Sequence, residues 1–343
     1  MKVLEPNFSQ TRPKFKSVLI LLVIALLVLV LCPFIGPTHL GFDVLWAASG
    51  GVESDIFWRI RLPRVCLAFM VGAALSVCGM TFQAMFRNVL ATPYTLGVAG
   101  GAAFGAAVAM KLKLPISLTG GSVVSLFALG GALLSVFLVL ALASPRRGFS
   151  PLAMLLAGVV MSYFFSSLVL LLQYLGGFSE VFQITRWLMG SLDVVGYEAL
   201  KTVVGAAGAG LLIVFLLGRG LDLLMIGDEV AISRGVNTAK LRLALFFATS
   251  LVVAVVVAVC GPIGFVGLIV PYTVREVFRN LSHRYLLPLG FVSGGIFLTF
   301  CDTFSRLVMA PYEIPVGVIT ALLGGPFFLW ILCRKGLKPA FLR

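Results

Sequence analysis

Long apolar stretches recur along the whole chain and are separated by short polar segments. Most are close to 20 residues, the length at which a helix crosses the roughly 30 Å hydrocarbon core of a bilayer. They lack the apolar–polar alternation of a barrel strand, so helices are favoured over an outer-membrane barrel. The pattern predicts about ten transmembrane helices, at 18–35, 63–83, 93–110, 117–143, 151–175, 200–218, 243–260, 263–281, 286–308 and 314–333.

The composition is that of an integral membrane protein. Of the 343 residues, 60% are hydrophobic and only 11% are charged, whereas a soluble domain carries about 25% charged residues. The first apolar stretch follows two lysines, as in a signal peptide, but Pro33 follows it in place of a small-residue cleavage site. We therefore expect an all-α, polytopic transmembrane domain over 18–333, with tails at 1–17 and 334–343.

The positively charged residues indicate the orientation of the chain. With both termini in the cytoplasm, 18 of the 26 Lys and Arg residues fall on the cytoplasmic side, as the positive-inside rule requires. The tails 1–17 and 334–343 and the loop 219–242 are then cytoplasmic. The net charge of +13 lies at helix ends and not on one soluble face, so topology explains it better than a nucleic-acid partner does.

The sequence lacks the motifs of catalysis and of nucleotide or metal binding. No Lys follows a Gly, so the phosphate-binding loop GxxxxGK[ST] is missing. His39 and His283 are predicted in loops, HExxH is missing, and the six cysteines occur singly. We expect no metal site and no cofactor. An intramembrane enzyme is disfavoured, and the scarcity of charges within the spans weakens a secondary transporter or channel.

Three arginines near the predicted outer boundary suggest two roles. Asp302 and Arg306 are spaced i,i+4 within one span, which favours an intramembrane ion pair; alternatively, Arg306 binds something outside. Arg61 and Arg64 precede the second span and share one side of its helix. They serve either as interfacial anchors or as a basic patch for an acidic docking protein.

The segment 218–242 is a charged region between two spans and is too short to hold a core of its own. Asp228 is predicted as a helix N-cap, Gly235 as a helix stop, and Asn237 as the cap of a second helix. The pattern leaves two alternatives open: a solvated loop, or a surface for a cytoplasmic partner.

Four segments together resemble the permease subunits of FecCD-type ABC importers, which take up iron–siderophore complexes, cobalamin or haem. They are RLPRVCLAFMVGAALSVCGMTFQAMFRNVLATPYTLGVAGGAAFGA (61–105), LLAGVV (155–160) with RWLMGSL (186–192), GDEVAISRGV (227–236), and GPIGFVGLIVPYTVR (261–275) followed by EIPVGVITALLGGPFFLW (313–330). They cover the chain from Arg61 to its end in the family's order.

The resemblance implies a type II ABC importer permease of ten helices in a bacterial inner membrane. Such a subunit forms a homodimer, or a dimer with a close paralogue, around the translocation path. Two ATPase subunits, which bind ATP and Mg, dock on the cytoplasmic side, and a substrate-binding protein docks outside.

The resemblance also implies roles for individual residues. Binding-protein docking falls to Arg61, Arg64 and Arg306. Coupling to the ATPase falls to Asp228, Glu229, Ser233, Arg234, Gly235 and Val236, with Gly235 as the turn and Arg234 as the polar contact. The cytoplasmic gate falls to Asn88 and Leu90, in a loop where Val89 replaces the first proline of the family motif FxNPLAxP.

The resemblance does not select one substrate. We expect an iron(III)–siderophore complex, the commonest class in the family, with cobalamin as the second choice and haem as the third. No histidine lies at membrane depth in the predicted topology to ligate haem.

Overall fold

The structure is a computed structural model, and it describes residues 13, 15–38, 40–45, 51–113, 117–118, 121–143, 151–279, 281–310 and 312–335. Of the predicted tails 1–17 and 334–343, the described range includes 13, 15–17, 334 and 335, and His39 lies outside it.

The described chain is a helical bundle. Its helices are α1 (Phe15–Leu31), α2 (Val52–Phe86), α3 (Val98–Lys111), α4 (Val123–Ala143), α5 (Pro151–Tyr174), α6 (Phe178–Leu188), α7 (Glu198–Leu216), α8 (Gly218–Ile226), α9 (Asp228–Ser233), α10 (Thr238–Cys260), α11 (Val266–Val277), α12 (His283–Leu307) and α13 (Val316–Lys335). Two-residue strands, β1 (Ser117–Leu118) and β2 (Gly121–Ser122), pair antiparallel before α4.

Each of the ten predicted spans has a helical counterpart, and seven of the described helices are long and apolar enough to cross a membrane. The prediction for 263–281 was too long, because α11 has only 12 residues. Gly261 and Phe265 adopt positive φ values of 68° and 64° in the turn before α11, which delays its start. The predicted start at Pro93 was also wrong, since a 3₁₀ turn over Pro93–Leu96 precedes α3.

Helix α2 forms the centre of the bundle. In the most apolar 18-residue stretch of α2, 83% of the residues are buried inside the chain, compared with 22% in the corresponding stretches of α1 and α5. It packs on α10, α11 and α12, and close approach depends on glycine: a Cβ on Gly72 would overlap the backbone of Gly294. Within a bilayer the hydrophobic effect does not drive helices together, so they associate through close contacts between small residues of this kind. The outward faces of α1 and α5 are left for lipid or for a partner.

The long axis of α2 joins two polar clusters. Arg64 lies in its first turn after the π-helical segment Ile56–Arg61, and Arg87 follows its last residue, Phe86. At 1.5 Å per residue, the two arginines are separated by about 35 Å. The clusters therefore lie at opposite ends of the bundle.

Candidate coupling segment, gate loop and outer ion-pair network

The coupling segment is the link from α8 through α9 to α10, and its backbone turns are closed by specific hydrogen bonds. After α9, Gly235 adopts φ +80°. Its N–H donates to Ile232 O at 2.9 Å, and Val236 N–H donates to Ala231 O at 3.0 Å. These two bonds form a Schellman motif. Gly235 as the helix stop is therefore confirmed.

The second cap is also confirmed, whereas the first is wrong. The Asn237 side chain accepts a hydrogen bond from Lys240 N–H at 3.0 Å and so caps α10. Asp228 does not cap α9, because Gly227 holds the cap position and Asp228 is the first helical residue. Its carboxylate is engaged by side chains from elsewhere in the chain.

Two arginines hold the Asp228 carboxylate. Arg242, a buried residue of α10, donates from Nη1 to Oδ2 at 2.8 Å and from Nη2 to Oδ1 at 2.6 Å. Arg87 donates from Nη2 to Oδ1 at 2.5 Å. Hydrogen bonds from Arg242, and then the charges of both arginines, hold the pKa of Asp228 below its ordinary value. This fixes the first turn of α9 to both α10 and the end of α2.

The outward surface of α9 combines one apolar and several polar side chains. Ile232 is 61% exposed, whereas the neighbouring Ala231 is buried. Glu229, Ser233, Arg234 and Gly235 are exposed around it, while Val236 packs partly against the core. Of the six residues predicted for coupling, these four therefore face outward, Asp228 holds the helix in place, and Val236 anchors the turn.

The predicted gate loop follows α2 and is shaped by Asn88. The side-chain oxygen of Asn88 accepts from Leu90 N–H at 2.9 Å, and its carbonyl accepts from Ala91 N–H at 3.1 Å. Such a turn from an asparagine side chain needs no proline, so Val89 leaves the loop ordered. Leu90 is 54% exposed.

Arg64 is the centre of the outer ion-pair network. It is buried and contacts three carboxylates: Asp302 on α12 at 3.0 Å, Glu313 at 2.6 Å and Asp193 at 2.9 Å. Asp302 has no exposed surface. Its second partner is Arg306, whose Nε lies 3.3 Å from Asp302 Oδ2, in the i,i+4 arrangement expected from the sequence.

Arg61 and Arg306 hold the segment after α1. Arg61 donates to Thr38 O at 2.6 Å, Thr38 Oγ1 at 2.7 Å and Phe34 O at 3.2 Å. Arg306 donates to Ile35 O at 3.1 Å. Both side chains are buried. These arginines have their partners within the chain, so they do not form the open basic patch that was expected; their part in docking stays a prediction.

A further contact joins α8 to α12. Asp222 Oδ1 accepts from the backbone N–H of His283 at 2.9 Å, and lies 2.6 Å from His283 Nδ1. The placement of His283 in a loop was wrong, because it is the first residue of α12.

Sequence reasoning did not assign a role to Arg87, Arg242, Asp193 or Glu313. Arg87, Arg242 and Glu313 lie within segments that the sequence analysis singles out, whereas Asp193 lies just beyond the motif 186–192. A weak signal was available, since charged residues directly beyond apolar spans commonly pair with one another or with helix ends. Arg87 and Glu313 have partners far away in the sequence: Arg87 and Asp228 are 141 positions apart, and Arg64 and Glu313 are 249 positions apart.

The comparisons with known proteins agree with this architecture. The sequence profile of the FecCD transport family matches residues 20–334. The hemin transport system permease protein HmuU of Yersinia pestis is 37% identical over 308 residues, which are 88% of this chain and 90% of HmuU. The probable siderophore transport system permease protein YfiZ of Bacillus subtilis is 35% identical, over 87% of this chain and 88% of YfiZ.

A cobalamin relative and a solved structure extend the comparison. The cobalamin import system permease protein BtuC of Halobacterium salinarum is 38% identical, over 81% of this chain and 73% of that protein. A solved inward-facing structure, described as that of a metal-chelate type ABC transporter, superposes with a TM-score of 0.79 at 30% identity, over 93% of this chain and 99% of the other. The chain is thus a multi-pass membrane protein that belongs to the FecCD transport family of ABC transporter permease subunits.

Proposed function

We propose that this chain forms the translocation path of an ATP-driven importer in a bacterial inner membrane, with both termini in the cytoplasm, and that its cargo is an iron(III)–siderophore complex. The observation that carries the proposal is α9, a short helix held rigidly between two membrane helices with Ile232 exposed. A helix this short cannot enclose a hydrophobic core of its own. Its exposed surface is therefore suited to bind a partner and to transmit force from it.

The ATPase docks at α9. Ile232 supplies an apolar anchor, and Glu229, Ser233 and Arg234 surround it with polar contacts. An anchor within a polar rim is typical of protein interfaces. This chain binds no cofactor; ATP and Mg bind to the two ATPase subunits, whose closure moves α9 and rocks the two permease halves against each other.

The substrate-binding protein docks at the opposite end, where Arg61, Arg64 and Arg306 lie. Because these three arginines are buried, they act by fixing the segments that carry the docking surface. Arg59, two residues before Arg61, has a side chain that is 73% exposed, and Arg186 is exposed near Asp193. These two cations are placed to meet acidic side chains of the binding protein.

The permease works as a homodimer or as a dimer with a close paralogue. Support comes from α5, which presents a broad exposed apolar face that includes Leu156, Val160 and Phe164. A face of this kind needs lipid or another protein surface to cover it.

Iron(III)–siderophore is the first choice of cargo because siderophore and iron–chelate carriers recur among the relatives, as in YfiZ and in the Fe(3+)-citrate import system permease protein YfmD of Bacillus subtilis. Cobalamin and haem are the alternatives, because other relatives are a cobalamin import permease and a hemin transport permease. Binding of each chelate class to the partner binding protein selects among them.

Reconstitution in liposomes tests the importer itself. Uptake of a ferric siderophore should require the ATPase, the binding protein and ATP together. Sustained uptake by the purified chain alone would overturn the proposal in favour of a secondary transporter or channel.

A further inference from the structure

Arg87 occupies a backbone position that suits glycine. It follows the last residue of α2 with φ +49° and ψ +38°. Its N–H donates to Ala84 O, and Asn88 N–H donates to Gln83 O. This is the same Schellman motif that ends α9, where the chain uses Gly235. A residue with a Cβ is disfavoured in this conformation. The turn alone therefore does not explain why this position holds an arginine.

The Arg87 guanidinium reaches across to the coupling segment at two points. Nε donates to Leu224 O near the end of α8 at 2.9 Å, and Nη2 donates to Asp228 Oδ1 at the start of α9 at 2.5 Å. Because guanidinium is planar, two bonds from one group fix direction as well as distance. Arg242 holds the same carboxylate from α10. Asp228 thus links α9 to two different helices.

Arg87 connects the coupling segment to the loop that follows α2. Arg87 is followed directly by the gate loop, in which Asn88 sets the turn and Leu90 is exposed. We propose that Arg87 is a positioning residue that transmits movement of α9 to the predicted gate loop, and this inference rests on the proposed docking of the ATPase at α9. Motion then reaches the gate through a side chain as well as through the helices.

Two variants separate the side chain from the turn. Arg87→Gly removes both contacts while it supplies the residue best suited to the backbone, so the end of α2 is retained. Arg87→Lys keeps the charge but replaces the planar, two-point contact with a single ammonium group. Arg284→Ala is the control, because Arg284 is an exposed arginine near the start of α12 at the same end of the bundle.

The readout is the cysteine reactivity of the gate loop in the intact permease–ATPase complex. Leu90→Cys is introduced after the two cysteines that are not buried, Cys66 and Cys333, have been replaced by serine. Its rate of labelling by a maleimide is measured without nucleotide and after trapping with ATP and orthovanadate. The ratio of the faster to the slower labelling rate measures how strongly the nucleotide state changes the exposure of the gate loop. The measurement does not require the cargo to be known.

We expect the ratio to fall about fivefold in Arg87→Gly, within the range of ordinary coupling energies, less in Arg87→Lys and not in Arg284→Ala. The ATPase should remain bound to Arg87→Gly and be lost from Ile232→Arg. If Arg87→Gly keeps the wild-type ratio while Ile232→Arg loses the ATPase, the inference is overturned and the proposed docking stands. If Ile232→Arg keeps both the ATPase and the ratio, the docking proposal fails and the inference with it.

Discussion

The buried carboxylate of Asp302 gives the most decisive test of the outer network. It has no exposed surface and lies between two buried arginines, Arg64 and Arg306. Asp302→Asn keeps the shape of the side chain but removes its charge. Breaking a buried ion pair by removing one partner costs about 3–5 kcal/mol, because the remaining charge is left uncompensated.

The remaining contacts reduce this cost. Arg64 keeps Glu313 at 2.6 Å and Asp193 at 2.9 Å, and Arg306 keeps the carbonyl of Ile35. We therefore expect a loss near the lower end, about 3 kcal/mol. Adding Arg64→Met to Asp302→Asn removes the second partner of the same ion pair, so the loss of that pair is counted only once. The double variant should lose less than the sum of the two single variants, with a coupling energy of about 1–3 kcal/mol.

The assay is the free energy of unfolding in mixed micelles, measured for the four members of this double-mutant cycle. Asp55→Asn is the control, because the Asp55–Arg59 pair is also spaced i,i+4 but has side chains that are 59% and 73% exposed. Exposed pairs of this kind contribute roughly 0–1 kcal/mol. The reasoning is refuted if Asp302→Asn costs no more than Asp55→Asn, or if the cycle is additive.

Three more predictions concern the cytoplasmic end and the helix packing. The pKa of Asp228 is lowered in the folded chain, so the stabilising effect of its carboxylate is present above its ordinary pKa and is lost as the pH falls through the lowered pKa. Asp228→Asn should therefore weaken the pH dependence of the thermal midpoint below about pH 4. Asn237→Ala should destabilise the start of α10 by about 1 kcal/mol, seen as faster amide exchange at Lys240. Gly105→Ala should lower the thermal midpoint, since its Cβ would overlap the Phe127 carbonyl, whereas Gly130→Ala, with open space, should raise or preserve it.

The helices were predictable because membrane spans are set by length and apolar composition, which are local properties. The errors lie where backbone conformation overrides that signal. Pro93–Leu96 is apolar enough to belong to a span but forms a 3₁₀ turn, and α11 is shortened by the turn at Gly261 and Phe265. Neither departure changes the hydrophobic pattern, so the sequence offers no warning of it.

The turns of the coupling segment were predictable for the same reason, since Gly235 and Asn237 act on neighbouring residues. The ion pairs were predictable only at i,i+4. Arg64 and Asp302 are 238 residues apart, so charge and residue type alone suggested an open basic patch. Burial depends on where the distant carboxylates fold, and that information is tertiary.

The central position of α2 has a consequence for how the chain is made. Helix α2 leaves the ribosome early, but α10, α11 and α12, against which it packs, are synthesised about 150–220 residues later. In the meantime its small-residue surface, with Gly72 and Gly79, has only lipid or a helper protein to cover it. Contacts of such long range form late. Chains that are truncated before α12 should therefore insert into the membrane yet remain substrates for quality-control proteases, which ties the supply of this subunit to completed translation.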